Sequence, residues 1–398
     1  MRPQGNSEVN WLVKYGFLPL LLLVAVGCAL LYGWYAIEKP YQGFANEGVF
    51  VTIPKGASQR GAAHILKRNG VIRSVWAFEF YARRHPSRAL EAGDYFFDHA
   101  VSGKDVFWKL AKGEVYVQPF TVREGDTMFD IARHLQEAGF MSADEFLRAA
   151  NNPELVRDLA PHAETLEGFL YPATYELPHH PAAAELTARM IEKFREEWHQ
   201  LDPPGGDPAG IAVGRPVLSV VTLASLVERE TPKPEERPLV AGVFENRLRK
   251  HMLLQCDPTV IYALQRTGAY NDSLSSKDLK LDSPYNTYEH GGLPPGPIGN
   301  PGAVSLKAAL EPANTAYLYF VANTQGGHFF SATLEEHNRN VTRYRRLLAG
   351  LPADPPPPEA ARNETTQRRN ARKRPARNAR KKAAHRKDIA TKRHRGGR

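Results

Sequence analysis

A run of apolar residues near the N-terminus constrains this chain more than any other feature. Residues 16–37 carry no charged side chain. A helix of that length rises about 1.5 Å per residue, enough to cross a hydrocarbon layer of about 30 Å. A cleaved secretory signal is the alternative, and residues 26–28 (VGC) resemble a lipoprotein processing site. Because a signal's apolar core is only about 7–15 residues long and this run continues past Cys28, we predict an uncleaved transmembrane helix.

The charges beside this run predict on which side of the membrane the body lies. Arg2 and Lys14 precede the run, with Glu8 as the one acid there. Basic flanking residues stay in the cytoplasm, so the rest of the chain is expected on the outer, periplasmic face of the cell inner membrane. Cys28 lies within the span and Cys256 is alone in the body, so no intramolecular disulfide framework is possible.

The C-terminal end differs from the body in composition. From residue 351 onward the chain has 16 Lys plus Arg and 4 Asp plus Glu, a net charge of +12, whereas the whole chain carries +9. With almost no apolar residue, this tail is predicted to be disordered. Its expected partners are anionic lipid headgroups or acidic cell-wall polymers rather than nucleic acid, given the predicted compartment. A solvated tail without a partner is the open alternative.

The first half of the body contains a weak internal repeat. Residues 50–74 and 119–143 align at an offset of 69, with a looser echo between residues 92–96 and 167–171. Each copy predicts a strand, a glycine turn and an amphipathic helix that ends at a glycine. The second copy resembles a LysM module, a small βααβ unit that binds N-acetylglucosamine polymers. A module that only positions its neighbour is the alternative.

Two acids end an apolar run in the second half, after a turn-rich linker at residues 201–208. Residues 217–230 predict a buried helix, which Pro232 and Pro234 prevent from continuing. Glu228 and Glu230 are its only acids. Burial disfavours the charged form of a carboxyl group and raises its pKa, as a general acid for glycosidic or acyl cleavage requires. Ordinary solvated acids at a helix end are the alternative.

Polar and aromatic side chains concentrate in the loops that follow. A second amphipathic helix is predicted over residues 235–248, and a third begins with Asp257 as its N-cap and Pro258 at its first position. Residues 316–322 predict a buried strand that pairs back with residues 328–331. Tyrosine rings and amides suit sugar recognition, whereas turn chemistry and core aromatics are the alternative. The candidate substrate-binding residues are Asn246, Gln255, Asp257, Tyr262, Tyr285, Asn286 and Tyr288.

Seven motifs then occur in a specific order. They are LASLVERET (223–231), VFENRL (243–248), LQCDPTVIY (254–262), YNTY (285–288), GLPPGPI (292–298), SLKAA (305–309) and YLYFVA (317–322). Together they resemble the endolytic murein transglycosylase family, also called YceG-like, over about residues 10–347. In that family the second acid of Glu-x-Glu-Thr is catalytic, which implies Glu230. Local sequence does not decide between Glu228 and Glu230. Residues two positions apart on a helix point about 200° apart, so only one of the two acids can face a cleft. Cys256 stands where the family usually has Thr or Ser.

The resemblance implies a chemistry. A lytic transglycosylase, a carbon–oxygen lyase, cleaves the MurNAc–GlcNAc bond inside nascent peptidoglycan strands, leaves 1,6-anhydro ends and limits strand elongation. One acid suffices because the nucleophile is the substrate's own 6-hydroxyl, and we expect neither cofactor nor metal. Expected partners are glycan strands, the inner membrane and peptidoglycan synthases. A wall-binding membrane scaffold without catalysis and a lysozyme-like hydrolase are the alternatives.

The chain as a whole predicts an α+β fold. Its expected segments are a cytoplasmic N-terminus (1–15), a transmembrane anchor (16–37), a first LysM-like module (45–118), a second LysM-like module with a connector (119–200), an α+β catalytic domain (210–348) and a disordered basic tail (349–398).

Overall fold

The computed structural model of the protein describes residues 7–86, 88–201, 211–212 and 214–353. Almost all of the predicted linker and of the basic tail lies outside these residues. The chain divides into two compact units, Met1–Glu230 with Leu253–Glu311 and Thr231–Met252 with Pro312–Arg398.

The described residues mix helices with short antiparallel strand pairs, which confirms the α+β class. The helices are α1 (Ser7–Glu38), α2 (Gln59–Arg68), α3 (Val75–Arg83), α4 (Gly103–Ala111), α5 (Met128–Glu137), α6 (Ala143–Ala150), α7 (Ala183–Leu201), α8 (Val217–Glu230), α9 (Arg237–Arg249), α10 (Asp257–Arg266), α11 (Ala303–Leu310) and α12 (Leu334–Leu348). The strands are β1 (Val49–Ile53), β2 (Gly93–Phe97), β3 (Gln118–Thr121), β4 (Thr174–Leu177), β5 (Ile211–Ala212), β6 (Arg215–Pro216), β7 (Tyr319–Ala322) and β8 (His328–Ser331). Each odd-numbered strand pairs with the next one along the chain.

The N-terminal helix has two kinds of surface. Its segment Pro19–Glu38 is long and apolar enough to cross a membrane, and only 11% of that segment is buried. The last turn is different, because Ala36 and Ile37 are buried in the hydrophobic core that also contains Phe78 and Phe107. Length and composition alone fit either a membrane anchor or a signal sequence.

Two segments of the first unit repeat the order strand, helix, helix, strand. In the first, β1 pairs with β2, and α2 and α3 lie between these strands in the chain. In the second, β3 pairs with β4, and α5 and α6 lie between them. Gly56 and Gly125 follow the first strand of each with φ of 78° and 81°, a backbone conformation that glycine adopts at little cost. The looser echo at residues 167–171 forms turns, and the closing strand comes later, at β4.

Helix α8 is the central buried helix of the first unit. It has the bounds predicted from sequence, and its residues Val220 to Val227 are at most 2% exposed. The buried Ser225 Oγ donates to Thr222 O at 2.7 Å and accepts from Ile298 N at 3.0 Å. Ser225 thereby binds the proline-rich loop to the helix without leaving a buried polar atom unpaired.

Two local predictions need correction. The N-cap of α10 is Cys256, whose side chain makes no cap bond, and the helix already includes Asp257. The strand predicted over 316–322 is shorter, β7, and its residues are half-buried rather than fully buried. The hairpin itself is confirmed, with Ala322 opposite His328 and Tyr319 opposite Ser331.

Helix α9 and the hairpin belong to the second unit. Arg247 Nε donates to Leu318 O at 2.7 Å, and His328 Nδ1 lies 2.7 Å from Glu236 Oε2. These bonds hold the hairpin to the helix and to the turn that precedes it.

Candidate active site

Glu230 is the last residue of α8 and is partly exposed, whereas Glu228 is buried. The two carboxylates have different surroundings, as the helical angle between them requires. Glu228 Oε2 accepts a hydrogen bond from Gly302 N at 3.0 Å. Glu230 Oε2 accepts one from the Cys256 thiol at 3.5 Å. Glu228 therefore holds the backbone of a neighbouring loop, and Glu230 is the acid that an incoming molecule can reach.

Cys256 is a buried thiol that stays protonated. It is 1% exposed, and burial, followed by the nearby Glu230 carboxylate, raises the pKa of Cys256 well above its usual value. Its backbone N–H donates to Thr287 Oγ1 at 3.0 Å, and Thr287 Oγ1 lies 3.0 Å from Thr259 Oγ1. These threonines fix the position of the thiol. A thiol is a weak donor, so it leaves the carboxylate less constrained than a hydroxyl group in the same place.

Three of the candidate substrate-binding residues have accessible side chains. Two are neighbours of Cys256 in the chain, and the third follows Thr287, which accepts a hydrogen bond from the Cys256 backbone. Gln255 and Asp257 flank Cys256 and are exposed, and Tyr288 is half-buried. Tyr288 OH donates to Asp257 Oδ1. Gln255 has a φ of 51° and donates from its backbone N–H to Thr287 O at 3.1 Å. A non-glycine residue in this left-handed region is strained, and such strain concentrates at functional sites.

Three other candidates are buried and support the loop. Asn286 is fully buried; its Nδ2 donates to Leu279 O and Leu281 O at 3.0 and 2.8 Å. Tyr262 and Tyr285 have ring centroids 5.1 Å apart and are 1% and 6% exposed. In this conformation none of the three presents a face to a sugar, which favours turn chemistry and core packing as their role.

Asn246 belongs to the second unit. It is 5% exposed, and its Nδ2 donates to Thr315 O and Tyr317 O at 2.9 and 2.8 Å. The amide thus ties α9 to the segment that leads into the hairpin.

Sequence reasoning did not identify a buried acid, Glu167, as part of this region. Both its carboxylate oxygens accept from Met128 N, at 3.0 and 3.1 Å, and Asn300 Nδ2 donates to Oε1 at 2.9 Å. Met128 is the first residue of α5, so the helix dipole also favours a negative charge there. Burial nevertheless dominates and raises the pKa of Glu167 to about 8. The available signal was an acid within the apolar stretch from Leu166 to Tyr171.

Asn300 is the centre of this network and was also missed. Its Oδ1 accepts from Gly168 N and Leu170 N, both at 2.9 Å, and its Nδ2 also donates to Asp126 O at 2.9 Å. The adjoining loop is held from α8 too, since Arg229 Nη1 donates to Gly125 O at 2.9 Å. Arg229, which lies between the two acids of α8, therefore holds the turn at Gly125 in the second strand–helix–helix–strand segment.

Comparison with known proteins identifies the family of this chain. The model of the YceG-like family matches residues 51–343. An endolytic murein transglycosylase of Bacillus subtilis is 34% identical over 334 residues, covering 80% of this chain and 91% of the relative. One of Streptococcus pneumoniae is 29% identical over 363 residues, and the match covers 82% of this chain but only 64% of that longer protein. A crystal structure of a YceG-like protein of Listeria monocytogenes, 33% identical, covers 74% of this chain and 99% of its own, with a TM-score of 0.47. The chain belongs to the YceG-like family.

Proposed function

We propose that this protein is an endolytic murein transglycosylase, a lyase that cleaves the MurNAc–GlcNAc bond within nascent peptidoglycan strands. The observation that carries the proposal is the 34% identity to a transglycosylase of that name over 80% of the chain. The site adds a chemical reason, because Glu230 combines partial exposure with a position at the end of a buried helix. Such a position suits an acid that must exchange a proton with a substrate.

The proposed reaction needs one carboxyl group. Protonated Glu230 donates its proton to the glycosidic oxygen as the bond from C1 of N-acetylmuramic acid to that oxygen breaks. The 6-hydroxyl of the same sugar then attacks C1 and gives its proton to the Glu230 carboxylate. The products are a free 4-hydroxyl on one fragment and a 1,6-anhydro end on the other, with Glu230 protonated again and no water consumed. A hydrolase would instead need a second carboxylate or base to activate water.

Cys256 has a supporting part in this proposal. Its thiol donates to Glu230 Oε2, and so stabilises the carboxylate that forms after the first proton transfer. The proposed sugar contacts are Gln255, Asp257 and Tyr288. Their side chains are accessible on either side of Cys256 and on the loop of Thr287, which accepts a hydrogen bond from the Cys256 backbone. Glu228 has no chemical step, because it is buried against Gly302 N.

The place of action follows from the anchor. We propose that α1 remains uncleaved and holds the protein on the outer face of the inner membrane. There the enzyme meets strands as a synthase releases them, which would limit strand length. The strand–helix–helix–strand segments, as LysM-like modules, would hold the glycan. The basic tail would add a salt-sensitive contact to anionic lipid or cell-wall polymer.

A product assay tests this function. The purified full-length protein is incubated with newly polymerised glycan strands, and the fragments are analysed by mass spectrometry. Ends that are one water lighter than reducing ends support the transglycosylase. Reducing ends alone would identify a hydrolase, and strand binding without cleavage would identify a scaffold.

A further inference from the structure

An apolar groove of about 310 Å³ lies between the end of α1 and helix α3. Among its lining residues are Leu30, Gly33 and Trp34 of α1 and Trp76, Phe80 and Arg84 at α3. The Trp76 and Phe80 rings stack with centroids 5.9 Å apart, yet the two residues remain 51% and 43% exposed. Paired large aromatic side chains at an open groove mark a binding surface more often than a solvated one.

Close packing fixes the geometry of this groove. A Cβ atom at Gly33 would lie 3.1 Å from Cζ3 of Trp76, so the indole packs directly on the backbone of α1. The chain that leaves α1 is held as well, because Arg73 Nη2 donates to Pro40 O at 2.7 Å and Tyr41 pairs with Val101. The end of α1 and α3 therefore form one packed body, and the groove does not depend on a flexible tether.

The depth of the groove follows from its position on α1. The apolar segment ends at Glu38, five residues beyond Gly33, which is about 7.5 Å along a helix that rises 1.5 Å per residue. Because Ala36 and Ile37 are buried in the protein core, the hydrocarbon layer ends before them, and the stretch from Gly33 to Glu38 passes through the headgroup layer, which is roughly 5–8 Å deep. With α1 across the membrane, Trp76 lies at the boundary between headgroups and acyl chains, where tryptophan is enriched.

One cation lines the groove and lies over an aromatic ring. The Arg84 guanidinium lies 4.5 Å from the Phe80 ring centroid. Lys39 follows the lining residue Glu38 in the chain, and its Nζ lies 5.8 Å from the Trp34 ring centroid. Glu38 also lines the groove, but its carboxylate lies 4.0 Å from Lys104 Nζ. A cation that lines an apolar groove matches a molecule with an anionic head and a hydrocarbon tail.

We propose that the groove binds one phospholipid of the outer leaflet. One acyl chain lies against Leu30, Gly33 and the Trp76–Phe80 pair, and the phosphate meets Arg84. The groove continues the surface of α1 that the bilayer covers, which favours a lipid over a second copy of the chain. The bound lipid docks the first strand–helix–helix–strand segment on the membrane in one orientation. This inference rests on α1 staying uncleaved and not on the chemistry at Glu230.

Native mass spectrometry of the full-length protein, extracted from membranes in mild detergent, tests the binding. We expect the wild type to retain one phospholipid, whose mass identifies its headgroup. Gly33→Leu fills the groove where Trp76 packs and is expected to lose it. Gly27→Leu makes the same change in the same helix at a position with nothing within 4 Å, and is expected to keep it. Arg84→Gln, an exposed substitution, should reduce retention without altering the anchor.

Fluorescence in vesicles tests the location. The emission of Trp76 is the part of the wild-type signal that is absent from Trp76→Phe. This part should be quenched by lipids brominated in the upper acyl chain and protected from aqueous iodide. Trp108→Phe, in α4 outside the groove, serves as the control and should leave the lipid-quenched component in place. The proposal is overturned if the wild type retains no lipid, if Gly27→Leu and Gly33→Leu lose it equally, or if iodide quenches the Trp76 emission. Glycan cleavage in detergent, measured on the same variants, should stay at the wild-type rate, so a failure of the groove is separate from a failure of catalysis.

Discussion

The thiol of Cys256 donates a hydrogen bond to the carboxylate of Glu230 across 3.5 Å. Because burial raises the pKa of this thiol, the sulfur keeps its proton at neutral pH and acts as a donor, not as a nucleophile. A thiol is a weaker hydrogen-bond donor than the hydroxyl group of Thr or Ser. The chain thus pairs its proposed general acid with a weaker donor, and the strength of that donor can be varied by single substitutions.

Substitutions at Cys256 should move the pH dependence of cleavage. Cys256→Ser supplies a stronger donor to the carboxylate, which favours the ionised form of Glu230. The alkaline limb of kcat/KM, where the general acid loses its proton, should move to lower pH. Cys256→Ala removes the donor and should move the same limb to higher pH. Cys28→Ser is the control, and identical profiles for all three variants would contradict the donor role.

Asn300→Ala should destabilise the protein. The change removes the acceptor for Gly168 N and Leu170 N, and each buried amide left without a partner costs about 1–3 kcal/mol. Thermal unfolding of the full-length protein in detergent measures the loss. Asn271→Ala at an exposed position should change the free energy of unfolding by no more than about 0.5 kcal/mol. Equal melting temperatures for the two variants would remove Asn300 from the network.

Glu167 should make stability depend on pH. Burial raises its pKa from 4.5 to about 8, so the folded state binds the proton more tightly than the unfolded chain does. Its contribution to the free energy of unfolding is therefore complete below pH 4.5, falls as the pH rises towards 8, and then levels off. The melting temperature of the wild type, measured across that range, should fall relative to that of Glu167→Gln as the pH rises. Parallel curves would show that Glu167 does not titrate there.

Tyr288 and Asn286 should respond differently to substitution although they are two residues apart. Tyr288→Phe removes the hydroxyl that donates to Asp257 from a half-buried ring, and should raise KM for glycan while leaving the melting temperature near that of the wild type. Asn286→Ala leaves two loop carbonyls without their donor and should lower the melting temperature. Steady-state kinetics and thermal unfolding on both variants separate the roles. A stability loss in Tyr288→Phe with unchanged KM would reverse the assignment.

Local patterns predicted the elements of this fold better than its long-range bonds. The bounds of α8 follow from an apolar run that two prolines terminate, and the β7–β8 hairpin follows from its glycine turn. The preference of aspartate for N-cap positions predicts Asp257 as the N-cap of α10. The observed N-cap is Cys256, one residue earlier, whose backbone N–H donates to Thr287 Oγ1. Glu167 and Asn300 could not be paired from sequence, since they are 133 residues apart and only the folded chain brings them within hydrogen-bond distance. The same limit applies to Cys256 and Glu230, whose contact joins two motifs that the sequence shows only in order.

The central claim, that Glu230 is the general acid, is tested most directly by a matched pair of variants on one helix. Glu230→Gln and Glu228→Gln make the same change two residues apart, and the rate of formation of 1,6-anhydro ends from nascent strands is measured by mass spectrometry. Loss of general acid–base catalysis is worth on the order of 10²–10⁴-fold. We predict a loss of that size for Glu230→Gln with an unchanged melting temperature. Glu228→Gln, whose side-chain oxygen still accepts from Gly302 N, is expected to keep full activity. Full activity in Glu230→Gln, or a comparable loss in a folded Glu228→Gln, would contradict the account.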